Sequence, residues 1–255
     1  SSIAKKAKAR LIVDISVQPL QDLLQEGADL IVLSLSKYPS TGLTLGGAIL
    51  CNNPVYIKKC HTNSTSEGHI LSPESASTIW SQIISLRDRM FALSIKTEKI
   101  ASFLKAHPTV TKVRIPDKYL CGGLTGGQIT FHLHNPLQCA MMEKIIGHNS
   151  LLPETSLSLA CTFGAPFTTF EHFASNIRHR ELIPREETGE IDIPDDIIRL
   201  GIGYESHQNI IKDLEFLLNT TDRICQNKQK DNKFHPLSFT GLTLNDIYSQ
   251  EKSHL

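Results

Sequence analysis

The sequence carries no surplus of either charge: Lys plus Arg and Asp plus Glu both number 26 among 255 residues. That balance removes the electrostatic case for a nucleic-acid or membrane-surface partner. No apolar run is long enough to span a bilayer and no signal-peptide pattern is visible, so the cytoplasm is the expected location. Six cysteines (Cys51, Cys60, Cys121, Cys139, Cys161, Cys225) include no Cys-x-x-Cys pair. Such spacing suits free thiols in a reducing compartment better than a disulfide framework or a zinc site. What remains is an ordinary globular composition, 40% hydrophobic, long enough for one large domain or two modest ones.

Residues 31–47 (IVLSLSKYPSTGLTLGG) organise the rest. Ile31, Val32 and Leu33 form a short apolar run that predicts a buried strand. The strand delivers two hydroxyls, Ser34 and Ser36, and one amine, Lys37, into a loop that Pro39, Gly42, Gly46 and Gly47 keep from becoming a helix. An amine at the end of a buried strand is a candidate nucleophile, and the adjacent hydroxyls are candidate phosphate donors. A solvated loop lysine is the bland alternative. Asp14 argues against it. It closes another apolar run, Leu11 to Val13, 23 residues before Lys37, with a helix-like segment and Gly27 between. Strand, helix, strand implies a right-handed crossover with both strands parallel and their carboxyl ends together, where such folds bind ligands. A Schiff-base lysine and a carboxylate for a pyridinium nitrogen are the pair that pyridoxal phosphate requires.

Farther along, residues 52–71 read as a loop. Ser72-Pro73 is a helix start, and apolar residues at helical spacing predict an unbroken helix of about 50 Å as far as Pro108. A domain boundary is expected inside it. Val110 to Ile115 reads as a strand, and the glycine-rich residues 121–127 as a loop feeding an edge strand, because no helix follows to make a phosphate site. His132 and His134 share a face of that strand, but no third metal ligand is identifiable. Met141 to Gly147 reads as a short helix. In residues 194–205 (PDDIIRLGIGYE), Ile198, Leu200 and Ile202 take one strand face and Arg199, Gly201 and Gly203 the other. Bare glycines beside a guanidinium imply space for a close ligand, and the planar fork suits a carboxylate; a surface ion pair is the competing reading. Ser206 starts a closing amphipathic helix, and the Asn/Lys/Gln-rich residues from 226 form a polar tail.

Val13-Asp14, residues 26–32 (EGADLIV), 34–38 (SLSKY) and 46–48 (GGA) together resemble the Cys/Met-metabolism family of pyridoxal-phosphate enzymes. This is the transsulfuration group of cystathionine synthases and lyases, O-acetylhomoserine sulfhydrylases and methionine gamma-lyases. The likeness runs from residue 1 to about 220. It implies an α/β fold of the aspartate-aminotransferase-like type (fold type I). Residues 1–92 would be the C-terminal part of the cofactor-binding large domain, 93–225 a C-terminal small domain and 226–255 a polar tail. The resemblance further implies pyridoxal 5'-phosphate held on Lys37, with Asp14 on the ring nitrogen and Ser34 and Ser36 at the phosphate. Ser156 and Arg199 would fix the carboxylate of a small amino-acid substrate. The implied chemistry is elimination or replacement at the beta or gamma carbon, in a homodimer or homotetramer. In that family a comparable stretch carrying the phosphate loop and a stacking tyrosine precedes this point, so the segment alone is expected to be inactive. A diverged, non-catalytic relative acting as a binding partner is the alternative.

Overall fold

Leu30–Ser34 forms the central strand (β2) of a three-stranded sheet in the computed structural model, which describes residues 2–118, 122–148, 154–175 and 194–230. A short helix, Ser2–Lys6 (α1), precedes it. Ile12–Asp14 (β1) runs parallel to β2, with Asp14 opposite Val32. Gly47–Leu50 (β3) runs antiparallel on the other side. The parallel pairing is the one expected, but its connection is a chain of turns and not a helix. Pro19 cannot donate within a helix, and Gly27 takes a left-handed φ of 97° before β2.

Residues 52–71 are not a loop. Pro54–Ser66 is a helix (α2), started by Asn53, whose Oδ1 accepts from Val55 N at 2.9 Å. No residue of α2 is buried, so it shows no apolar periodicity. The long helix expected after Ser72 is two: Pro73–Ile83 (α3) and Leu86–Ala106 (α4). Arg89 accounts for the break. Its Nη2 donates to Gln82 O at 2.8 Å and its Nε to Ser85 Oγ at 3.1 Å, drawing the end of α3 out of the helical ladder.

The second sheet holds Val110–Arg114 (β4), Gln128–Leu133 (β5), Leu157–Leu159 (β6), Thr168–His172 (β7) and Ile197–Gly201 (β8), in the order β4-β5-β8-β7-β6. All neighbours are antiparallel except β6 and β7. β5 lies between β4 and β8 and is therefore interior, not the edge strand expected. His132 on it meets Asp196 at 3.1 Å. Three helices cover one face: α4, Pro136–Ile146 (α5) and His207–Lys230 (α6). The alternation around Arg199 holds, since Ile198, Leu200 and Ile202 are at most 1% exposed against those helices. Leu214, Leu217 and Leu218 are fully buried on α6, each contributing about 1.5–3 kcal/mol. Ile224 and Cys225 extend that seam, so the helix continues past residue 226, where a polar tail was expected to begin. Residues 231–255 lie outside the described residues. No helix among the described residues is long and apolar enough to cross a membrane.

Candidate active site

The carboxyl ends of β1 and β2 are tied together through a hydroxyl. Asp14 Oδ1 accepts from Ser16 N at 2.8 Å, and Ser16 Oγ accepts from Ser34 N at 2.8 Å. Asp14, Ser16, Ser34 and Gly47 line an open cleft of about 840 Å³ that α2 walls with Ile57 and His61. Ser36 does not join them. Its hydroxyl accepts from Gly46 N at 2.9 Å and approaches Gly46 O at 3.3 Å, closing the loop on itself. The hydroxyl beside Ser34 in the cleft is that of Ser16, which sequence reasoning missed.

Lys37 leaves the same sheet edge toward the other sheet. Its Nζ donates to Thr162 Oγ1 at 2.7 Å and lies 5.0 Å from the centroid of the Phe163 ring, within cation–π range. The loop carrying these partners touches the lysine's own backbone. Gly164 has φ of 76°, and a Cβ there would stand 2.5 Å from Tyr38 N and 2.7 Å from Lys37 C. Tyr38 is fully buried, meets the Phe163 ring at a tilt with centroids 5.6 Å apart, and accepts from Gly127 N at 3.2 Å; burial raises its phenol above the ordinary range. Arg89 fixes the far side of the loop, donating to Tyr38 O at 2.7 Å, Pro39 O at 3.3 Å and Tyr204 Oη at 2.9 Å. Lys37 is thus held from both flanks.

Arg199 stands on β8 between β5 and β7, opposite Glu171 in register, and forms an ion pair with it. Its guanidinium carbon lies 5.5 Å from the Phe173 ring centroid. The space beside Gly201 and Gly203 is not open for a ligand. A Cβ on Gly201 would meet Thr169 Oγ1 at 2.6 Å and Thr162 O at 3.1 Å, and one on Gly203 would meet Phe167 C at 2.3 Å. The chain's own loop 162–167 occupies it. That packing lays Thr162, the partner of Lys37, over Gly201, two residues from Arg199.

Ser156 precedes β6 and is fixed through its backbone. Its amide donates to Asp213 Oδ2 on α6 at 2.6 Å, and Thr155 Oγ1 bonds the same oxygen at 3.3 Å. The hydroxyl on Lys37 is that of Thr162, which the sequence did not single out.

The donor set fits a phosphorylated pyridine aldehyde: a carboxylate for the ring nitrogen, hydroxyls for a phosphate, and an amine for the aldehyde, all at one sheet edge. The fold and this edge define a cofactor-dependent α/β enzyme class. The chain belongs to the Cys/Met metabolism PLP-dependent enzyme family, whose model matches residues 1–219. It is 27% identical over 226 residues to the cystathionine gamma-lyase of Bacillus subtilis (strain 168), covering 84% of this chain and 57% of that one. It is 28% identical over 227 residues to a cystathionine beta-lyase of Lactococcus lactis subsp. cremoris, with the same coverage. The crystal structure of cystathionine gamma-lyase from Lactobacillus plantarum complexed with L-serine shares the fold, with a TM-score of 0.74 at 24% identity over 87% of this chain and 58% of that one. So does a putative O-acetylhomoserine (thiol)-lyase from Campylobacter jejuni bearing N'-pyridoxyl-lysine-5'-monophosphate, with a TM-score of 0.72 at 24% identity over 86% of this chain and 61% of that one. The chain spans 57% of the length of the curated relatives named here.

Proposed function

We propose that the protein is a PLP-dependent enzyme of sulfur amino-acid metabolism, cystathionine gamma-synthase-like, eliminating or replacing a group at the beta or gamma carbon of an amino acid. The observation that carries this reading is Lys37 held on Thr162 at the sheet edge that also bears Asp14 on the adjacent parallel strand. When bound, the cofactor supplies an electron sink beside the substrate's alpha carbon. Asp14 keeps a proton on the ring nitrogen. Ser34 and Ser36, with Ser16 beside Ser34 in the cleft, supply hydroxyls to the phosphate oxygens; Ser36 also bonds Gly46 and so holds the loop's shape. Lys37 carries the cofactor and, once released by substrate, moves protons at the alpha and beta carbons. Thr162 holds the free amine within reach during that interval. Arg199 captures the amino acid's carboxylate, which orients the bond to be broken.

In this reading residues 1–92 supply Lys37 and Asp14, and residues 93–225 supply Thr162 and Arg199. The assembled protein is a homodimer or homotetramer in the cytoplasm, a reading that rests on cysteine spacing without a Cys-x-x-Cys pair. Borohydride reduction of the cofactor-loaded, full-length polypeptide, followed by peptide mapping, tests it. The pyridoxyl group should be on Lys37. Label on any other lysine, or no uptake of cofactor, sinks the assignment.

A further inference from the structure

Arg199 already has a carboxylate. Glu171 faces it across the β7–β8 ladder, with its side chain 4% exposed against 15% for Arg199. A carboxylate this buried needs a cation, and leaving it alone there costs several kcal/mol. The contact is through Nη2 of the arginine. That nitrogen is common to both two-toothed edges of a guanidinium, the one shared with Nε and the one shared with Nη1. Phe173 lies against the guanidinium at 5.5 Å, within cation–π range. A substrate carboxylate therefore meets an arginine whose charge is compensated and whose two edges share an engaged nitrogen.

We infer that Glu171 is a specificity-determining residue: an internal carboxylate that competes with the substrate's for Arg199 and so sets how tightly the amino acid's carboxylate is held. This rests on the reading of Arg199 given above. The site around it is continuous with Lys37. Thr162 and Phe163 lie directly over Gly201, two residues from Arg199 on the same strand face, and Thr169 Oγ1, two residues from Glu171, donates to Thr162 O at 2.8 Å. Glu171 thus acts on the substrate through the arginine and not by touching the reacting carbon. A purely structural ion pair predicts the opposite outcome: removing one partner loosens the sheet and weakens every ligand alike.

The test uses the full-length polypeptide loaded with PLP, titrated with L-alanine and with L-alaninamide, which lacks the carboxylate, while cofactor absorbance reports binding. Glu171→Gln should tighten L-alanine at least about threefold and leave L-alaninamide unchanged, because the competing charge is gone. Glu171→Asp, which retracts the carboxylate by one methylene and keeps the pair, should give the same sign at smaller size and serves if the Gln variant does not fold. Unchanged or weakened L-alanine binding in the folded variants overturns the inference alone. If Arg199→Lys leaves L-alanine binding at the wild-type level, the reading of Arg199 as the carboxylate anchor fails, and this inference with it.

Discussion

Lys37 and Thr162 are 125 positions apart in the chain and 2.7 Å apart at their side-chain tips. The amine at the end of one sheet takes its resting partner from a loop of the other. If that hydroxyl holds the free amine in place between proton transfers, its loss should slow chemistry without emptying the cofactor site. Thr162→Val, which keeps the shape and removes the acceptor, is expected to lower kcat about tenfold, roughly 1.4 kcal/mol in the barrier, with cofactor absorbance intact. Thr162→Ser should restore most of it. Equal kcat in wild type and Thr162→Val would remove Thr162 from the mechanism.

Asp14 carries a charge that its amide partner does not. Asp14→Asn retains a hydrogen-bond acceptor for Ser16 N but no longer stabilises a proton on a ring nitrogen. The expected result is a fall in kcat of about a hundredfold or more, near 2.7 kcal/mol, with the cofactor still attached to Lys37 after reduction. A variant within twofold of wild type would show that ring protonation has another source.

Gly164 is the contact point between the loop and the lysine's backbone. Its φ of 76° and the 2.5 Å approach to Tyr38 N leave no room for a methyl group. Gly164→Ala should destabilise the fold by about 2 kcal/mol and displace Thr162 from Lys37. Thermal unfolding and kcat are read together; an unshifted midpoint would mean that the loop has slack.

Two buried acids set the alkaline limit. Burial, helped by the charge of Asp196, pushes the Cys139 thiol well above its ordinary 9.0, and burial also raises Tyr38 above 10.0. A group whose proton is held more tightly in the folded state contributes stability below its unfolded pKa and loses it as pH rises beyond. Unfolding midpoints should therefore fall as pH climbs past about 9 to 10. Lys96, lowered by burial, works in the opposite sense but is only partly buried. At pH near 8, iodoacetamide should alkylate exposed Cys161 and spare Cys139 until denaturant is added. Modification of Cys139 in the folded chain would contradict its burial.

The parts of this fold that were legible in the sequence are those where burial alternates strictly. Ile198, Leu200 and Ile202 announce a strand because helices cover one side of it, and Arg199 stands out on the other. The parallel pairing of β1 and β2 was read from a strand-helix-strand crossover, and the pairing is present although turns and not a helix connect the strands. α2 was missed because solvent surrounds it and no apolar period remains, although Asn53-Pro54 spells the same start as Ser72-Pro73. The bond of Ser36 to Gly46, ten residues on, was not legible because it crosses a loop whose course no pattern gives. Thr162 was invisible for a stronger reason: nothing local marks a hydroxyl whose partner arrives from another sheet.

Gly201 and Gly203 are bare because loop 162–167 lies on them, and this has a consequence for how such a protein can change over generations. Any side chain at either position lifts the loop and takes the lysine's partner with it, so those two sites are closed to variation. Cys161 and Phe167, at the two ends of the same loop, are exposed and carry no such constraint. Sequence change on this loop is therefore confined to its outer side, while Lys37 keeps its partner.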